Sequence, residues 1–265
     1  MSVLIPASQT AAAVAAAATT LGVAVVYLLI GYRIADRQVS RPARLASFQF
    51  ALWWGGLGAS LGIGGIELLL AVTGELPYAL AMTLYLVTVL VDCIFLWGLV
   101  GFLTYVYTGR YHVLEVSLLY VGFYIAYLYW FFAQNPYAVV FEAAQPVWQY
   151  SVAGIVPLEA VLLVVLLGPE VLGAILYLSL RLRTRDSAQR YRIALVGGGI
   201  LLWFALDLFL PATTIPWLIA RTILLVIPGT MSLVAFYPPA WARRKYGVTS
   251  FDQQLVEQPE PGAHS

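Results

Sequence analysis

Seven apolar runs, each long enough to cross a bilayer, alternate along this chain with short connections. They lie at about residues 9–32, 46–72, 78–107, 113–133, 152–182, 193–210 and 217–237. A helix needs roughly 17–25 residues to span hydrocarbon, and every run reaches that length. The expected fold class is therefore all-α. The expected architecture is a polytopic membrane protein with a seven-helix transmembrane bundle. Composition agrees, with 62% of residues hydrophobic and 10% charged, where a soluble domain carries about 25% charged residues. No polar stretch is long enough to hold a soluble catalytic domain. The long third and fifth runs should tilt or kink. Pro169 in the fifth run and Pro228-Gly229 in the seventh are the expected kinks.

The basic residues predict orientation. Arg33, Arg37, Arg41 and Arg44 follow the first run, and Arg110 follows the third. Arg181, Arg183, Arg185, Arg190 and Arg192 join the fifth run to the sixth, and Arg243, Arg244 and Lys245 follow the seventh. The alternate connections, 74–77, 134–150 and 211–216, contain no Lys or Arg. The positive-inside rule then places the N-terminus outside and the C-terminus in the cytoplasm. The first run has its Arg residues after it, not before, so it reads as a first helix and not as a secretory signal. The membrane domain is expected over 1–247. Its segment 238–247, with Trp241 and three cations, reads as an interfacial anchor. Residues 248–265 are polar with two Pro and one Gly and are expected to be a disordered cytoplasmic tail.

Against this pattern a few polar residues stand out. Within LLWFALDLFLPATTIPWLIARTILL, at 201–225, Asp207 and Arg221 each sit in an apolar run. A lone charge there costs about 2.5–3.5 kcal/mol on insertion scales, and two opposite charges at matching depth offset part of that cost. The topology places Glu67, Glu159, Asp207 and Arg221 in the outer half of the bundle. Asp92 lies deeper, with Thr88 and Tyr85 on the same helical face. Such residues face the bundle interior or a water-filled cavity. Three acids against one Arg leave a surplus of negative charge, so some carboxyls carry protons or a cation enters. The candidate ligand-binding residues are Glu67, Asp92, Glu159, Asp207, Arg221, Trp203 and Tyr85.

Other features have plainer readings. Gly58 and Gly62 form a GxxxG on the second run, and Gly56, Ser60 and Gly64 form another small-residue row. Both read first as intrabundle packing and second as a dimer face. Gly197-Gly198-Gly199 on the sixth run reads the same way. Tyr127, Tyr129, Trp130, Phe131, Phe132, Tyr137, Trp148, Tyr150 and Trp217 read mainly as an interfacial belt. The 134–150 connection is apolar enough to lie across the bundle mouth as a lid. One cysteine, Cys93, excludes an intramolecular disulfide. With only His112 and His264 beside it, metal-dependent chemistry has little support. The only lysine, Lys245, lies beyond the last run, so a retinal Schiff base is excluded. No HExxH, CxxC, P-loop or nucleophile-elbow motif occurs. No internal repeat is visible, which weighs against a repeat-built transporter.

At 103–118 the chain reads LTYVYTGRYHVLEVSL. With the Arg-rich segment at 37–44 and the charged segment RLRTRDSAQRYR before the glycine-rich sixth run, it resembles the seven-transmembrane sensory module of prokaryotic histidine kinases. The resemblance covers about residues 10–240, and no kinase domain follows. It implies an outside-facing sensory pocket in a multi-pass protein of the cytoplasmic membrane. The expected function is a sensor or receptor-like protein that recognises a small ligand, an ion or a membrane state. The alternatives are a cation or proton transporter or channel and, least favoured, a lipid-modifying enzyme. No cofactor and no nucleic-acid partner is expected. The expected partners are the lipid bilayer, a small ligand or cation from outside, and a cytoplasmic signalling partner or a second copy of the chain.

Overall fold

The structure is a computed structural model that describes residues 9–36, 41–133, 138–142, 145–149, 156–209 and 214–248, with side chains for 9–36, 44–133, 168, 171–206 and 214–248. The helices are α1 (Thr10–Ala35), α2 (Arg41–Thr73), α3 (Tyr78–Thr108), α4 (Val113–Ala133), α5 (Val156–Arg183), α6 (Ser187–Phe209), α7 (Ile215–Leu224), α8 (Val226–Phe236) and α9 (Ala240–Tyr246). Between α4 and α5 run two short strands, β1 (Ala138–Glu142) and β2 (Gln145–Gln149). Among the described residues, five spans are long and apolar enough to cross a membrane: α1, α2 from Arg44, α3, α4, and α7 with α8 taken together. The chain is a helical, multi-pass membrane protein.

Around the bundle, α1 neighbours α2, α2 neighbours α3, α3 neighbours α5, α5 neighbours α6, and α6 neighbours α8; α7 and α8 return to α1. Helix α4 packs outside this ring on α3. Only 22% of its most apolar window is buried, against 50% for α3. Leu114, Leu118, Val121, Ile125, Tyr129 and Phe132 form its exposed stripe, spaced at helical periodicity as a lipid-facing side requires.

Small residues set the α1–α2 distance. A Cβ on Gly31 would lie 2.7 Å from the Gly55 nitrogen, and one on Gly58 would lie 2.8 Å from the Ala24 carbonyl oxygen. The Gly58 face is therefore used inside the bundle, where close backbone approach replaces the hydrophobic drive that lipid removes. Gly56 of the second row meets Phe95 of α3, and Gly197 and Gly199 of α6 meet α5 and α8. Beneath these contacts lies an aromatic core. Phe50, Trp53 and Trp54 of α2 are fully buried. Trp54 meets Tyr27 edge-on at 5.1 Å, Phe50 meets Phe102 at 4.5 Å and Phe236 at 5.6 Å, and Trp53 meets Trp203 edge-on at 6.3 Å.

Several boundaries differ from the sequence expectation, each for a local reason. The last span breaks at Leu225, three residues before the expected Pro228. Pro228 has no N–H to give the Leu224 carbonyl, and its ring crowds that carbonyl, so the disturbance falls one turn earlier. The Tyr27 hydroxyl donates a hydrogen bond to the Leu225 carbonyl from α1. A neighbouring helix thus ties the backbone at the junction, one residue after the carbonyl that the proline leaves without its helical donor. By contrast, α5 runs through Pro169 as one helix. Helix α6 starts earlier than expected, at Ser187, because the Asp186 carboxylate accepts from Ala188 N–H at 3.0 Å and Gln189 N–H at 3.3 Å, an N-terminal cap.

The bundle is all-α, and one connection carries a short extended element. The apolar 134–150 connection contains an antiparallel β-hairpin, with Val140 opposite Val147 and Glu142 opposite Gln145. Val139, Val140, Phe141, Val147 and Trp148 are β-branched or aromatic and favour a strand over a loop. Strand β1 packs against α3. The end of the bundle near this hairpin is called the hairpin end below. At the other end, α9 docks by stacking Tyr246 on Tyr191 at 5.1 Å and by a 2.9 Å hydrogen bond from the Ser187 hydroxyl to the Tyr246 carbonyl. Ala242 is buried while Trp241 stays 60% exposed, which suits a short interfacial helix. The motif that carries the family resemblance has a local role too. Gly109 closes α3 with a left-handed φ of 72°, a conformation that glycine adopts without strain. The expected tail lies outside the described residues from 249 onward.

Candidate functional site

Toward the hairpin end, four helices enclose a cavity of about 240 Å³. Thr20 of α1, Ser60, Gly64 and Glu67 of α2, Tyr85 and Thr88 of α3, and Arg221 and Thr222 of α7 supply its chemistry; Leu61, Leu218 and Leu225 complete the wall. On each helix the spacing puts these residues on one face: i, i+4 and i+7 along α2, and i, i+3, i+4 and i+7 along α7. Two apolar clusters flank the cavity nearer that end. One joins Ala13, Ala16 and Ala17 to Leu68, Ile215 and Leu218; the other joins Ala71, Leu76 and Ala81 to Tyr127, Trp130 and Phe131.

Glu67 is the most demanding residue in the lining. It is 2% exposed, and its Oε1 is buried with no hydrogen-bond partner. No ion pair joins it to Arg221 among the described residues. Leaving a buried acceptor unmade costs about 1–3 kcal/mol, more for a charged group. The Thr88 hydroxyl donates to the Leu84 carbonyl at 3.0 Å, and the Thr222 hydroxyl donates to the Leu218 carbonyl at 2.7 Å. Both hydroxyls have spent their hydrogens on the helix behind them, so only lone pairs remain for the cavity. The Tyr85 hydroxyl is hydrogen-bonded to the Tyr127 hydroxyl and ties α3 to α4.

The structure thus brings Glu67, Tyr85 and Arg221 to one cavity. Asp92 lies one turn beyond Thr88 on α3, half-buried, and does not line it. Trp203 is part of the aromatic core, edge-on to Trp53, Phe95 and Phe204, and is not in the cavity wall. Glu159 and Asp207 are carried by the backbones of α5 and α6, and their side chains lie outside the described residues, so the Asp207–Arg221 pairing falls there too. Sequence reasoning missed Thr20, Ser60, Gly64 and Thr222 as lining residues. Hydroxyl and glycine positions at matching depth on neighbouring helices were the available signal. Part of the aromatic belt also turns inward. Tyr127, Trp130 and Phe131 are buried, whereas Tyr129, Phe132 and Trp217 face out.

A second crevice of about 260 Å³ lies between α3 and α4 beside Cys93, Trp97, Ser117 and Tyr124. Its wall is almost wholly apolar, and the Trp97 indole N–H already donates to the Ser117 hydroxyl at 3.0 Å. It offers a ligand far less polar discrimination. Among the described residues, no three His, Cys, Asp or Glu side chains group as a metal site. No protein-family model, no curated protein and no solved structure matches the chain.

An unpartnered buried carboxyl is held at a cost, and that predicts a measurable trade-off. Replacing Glu67 with the near-isosteric Met removes the orphaned acceptor and keeps the volume. The Glu67→Met variant should be more stable by about 1–3 kcal/mol. Its thermal midpoint in detergent should rise by roughly 2–4 °C per kcal/mol. A midpoint that falls instead would show that Glu67 is compensated and structural.

Proposed function

We propose that this protein is a seven-helix sensor of the cytoplasmic membrane of a prokaryotic cell, binding a small ligand in the cavity beside Glu67. The observation that carries this is a polar cavity between four helices that holds a carboxyl oxygen without a partner. Buried polar groups are normally satisfied, so an orphaned acceptor in a cavity wall is a place for something to bind. In this reading α5 and α6, with 28 and 23 residues, are the fifth and sixth spans. The Arg-free connections put the hairpin end outside. The resemblance to kinase-linked sensory modules supports the same direction of signalling, with the output carried by a cytoplasmic partner.

The path for the signal is the last span. Arg221 and Thr222 line the cavity on α7, Leu225 marks the break, and α8 leads to α9 with its exposed Trp241. A ligand that pulls on α7 re-aims α8 about the break, a hinge motion of the common kind. Transport is the rival reading, since Asp92 continues the Thr88 face toward the bundle centre. The purified chain in liposomes separates the two. The sensor reading expects no cation-driven flux above empty vesicles. Flux that disappears in Asp92→Asn would establish transport in its place.

A further inference from the structure

We propose that α9 and the link between α5 and α6 together form a binding site for the headgroup of an anionic phospholipid. Two segments far apart in the chain supply it. The Ser187 hydroxyl donates to the Tyr246 carbonyl at 2.9 Å, and Tyr246 stacks on Tyr191 at 5.1 Å. These contacts set α9, with Arg243, Arg244 and Lys245, against the start of α6, where Arg185 and Arg190 flank the docking residues. All five cations are exposed, and none has an ion pair among the described residues. The only acid in 181–192 or 240–248, Asp186, already accepts from the N–H groups of Ala188 and Gln189.

The setting selects a lipid over a soluble anion. Only Tyr237, Pro238 and Pro239 separate the last span from α9, at most roughly 14 Å of extended chain. The Tyr237 hydroxyl donates to the Arg33 carbonyl at 3.0 Å, which pins this link to α1. Helix α9 is therefore held at the bilayer surface, where the lipid phosphates lie. Two large apolar side chains stand exposed among the cations: Trp241 at 60%, and Leu182, between Arg181 and Arg183, at 88%. A soluble anion would leave both in water, whereas the headgroup layer accepts an indole and an aliphatic side chain beside charge. Arginine adds a planar fork that pairs with phosphate through two parallel hydrogen bonds. A zwitterionic headgroup brings its own ammonium among these cations, so the selection falls on net negative charge. Each Lys or Arg at an anionic surface contributes about fivefold to binding.

The test uses the full chain in detergent micelles, given equal amounts of phosphatidylglycerol and phosphatidylcholine with identical acyl chains. Native mass spectrometry counts the lipids retained. The parent protein should prefer phosphatidylglycerol by at least about tenfold. Arg243→Gln combined with Arg244→Gln should cut that preference by about tenfold. Arg44→Gln combined with Arg110→Gln removes the same charge from other connections at this end and should cut it by about twofold at most, because screening confines the effect to near neighbours. Inorganic phosphate at about 10 mM, where even a millimolar dissociation constant shows, should leave the bound phosphatidylglycerol in place. Each variant is first checked for monodisperse elution, and the comparison of lipids in the parent protein stands even where a variant does not fold. A parent that retains both lipids alike overturns the proposal. Equal losses in the two double variants overturn it too, since the charge would then be spread over the whole end. Displacement by inorganic phosphate would replace the lipid with a soluble anion and overturns it as well.

Discussion

Gly58→Leu should disrupt the pairing of α1 with α2, while Gly64→Leu, less than two turns away on the same helix, should not. A Cβ at Gly58 meets the Ala24 carbonyl at 2.8 Å and the Leu28 nitrogen at 2.9 Å, whereas one at Gly64 meets nothing within 4 Å. The obstacle at Gly58 is backbone, which cannot rotate out of the way, so α1 as a whole must move. Overpacking costs about 1–3 kcal/mol, occasionally more, and this site belongs at the upper end. The thermal midpoint should fall by roughly 6–12 °C for Gly58→Leu. Gly64→Leu removes a helix-weakening glycine, worth about 1 kcal/mol, and places its side chain in the cavity. Its midpoint should stay level or rise. Equal losses in the two variants would mean that α1 does not pack on α2 as described.

Tyr27→Phe should destabilise the chain by about 0.5–1.5 kcal/mol, the net worth of one buried hydrogen bond. The phenol hydroxyl donates to the Leu225 carbonyl at the junction of α7 and α8. Tyr27 is fully buried and packs edge-on to Trp54 at 5.1 Å, so the ring stays in place when the hydroxyl is removed. The loss should be local as well as global. Amide exchange should accelerate around 224–229 more than in α2 or α3, because the break loses its tie to α1. Uniform acceleration along all helices, or none, would remove Tyr27 from the hinge.

Much of this architecture was legible in the sequence, and the residues show why. The apolar runs are dictated by bilayer thickness, so α3 and α4 begin and α4 ends where hydropathy places them. GxxxG spacing pointed correctly to close helix packing at Gly58. What the sequence withheld was the partner of each face. Trp203 looks like a cavity residue at its depth, yet it points into the aromatic core, and rotation about a helix axis cannot be read from an apolar run that lacks a polar side. The break at Leu225 was displaced from Pro228 because a proline acts on the carbonyl of the preceding turn. The hairpin at 138–149 was hidden by the general apolarity of its surroundings, although its runs of Val139, Val140 and Phe141 and of Val147 and Trp148 carried the β-propensity signal. Glu67 and Arg221 were visible as charges in apolar runs, but that they line one cavity required the bundle's neighbour order.

The sensor proposal requires the cavity beside Glu67 to open to the outside. A single cysteine at position 64, in a Cys93→Ala background, addresses it with a small membrane-impermeant methanethiosulfonate applied to intact cells and then to opened membranes. Gly64 lines the cavity, and an added side-chain atom there meets no neighbour within 4 Å, so the thiol reports on access and not on strain. Modification is expected in intact cells, and should be slower when the cavity-filling Leu218→Trp is added to the Gly64→Cys protein. Modification only after the membranes are opened, or in neither condition, would contradict it.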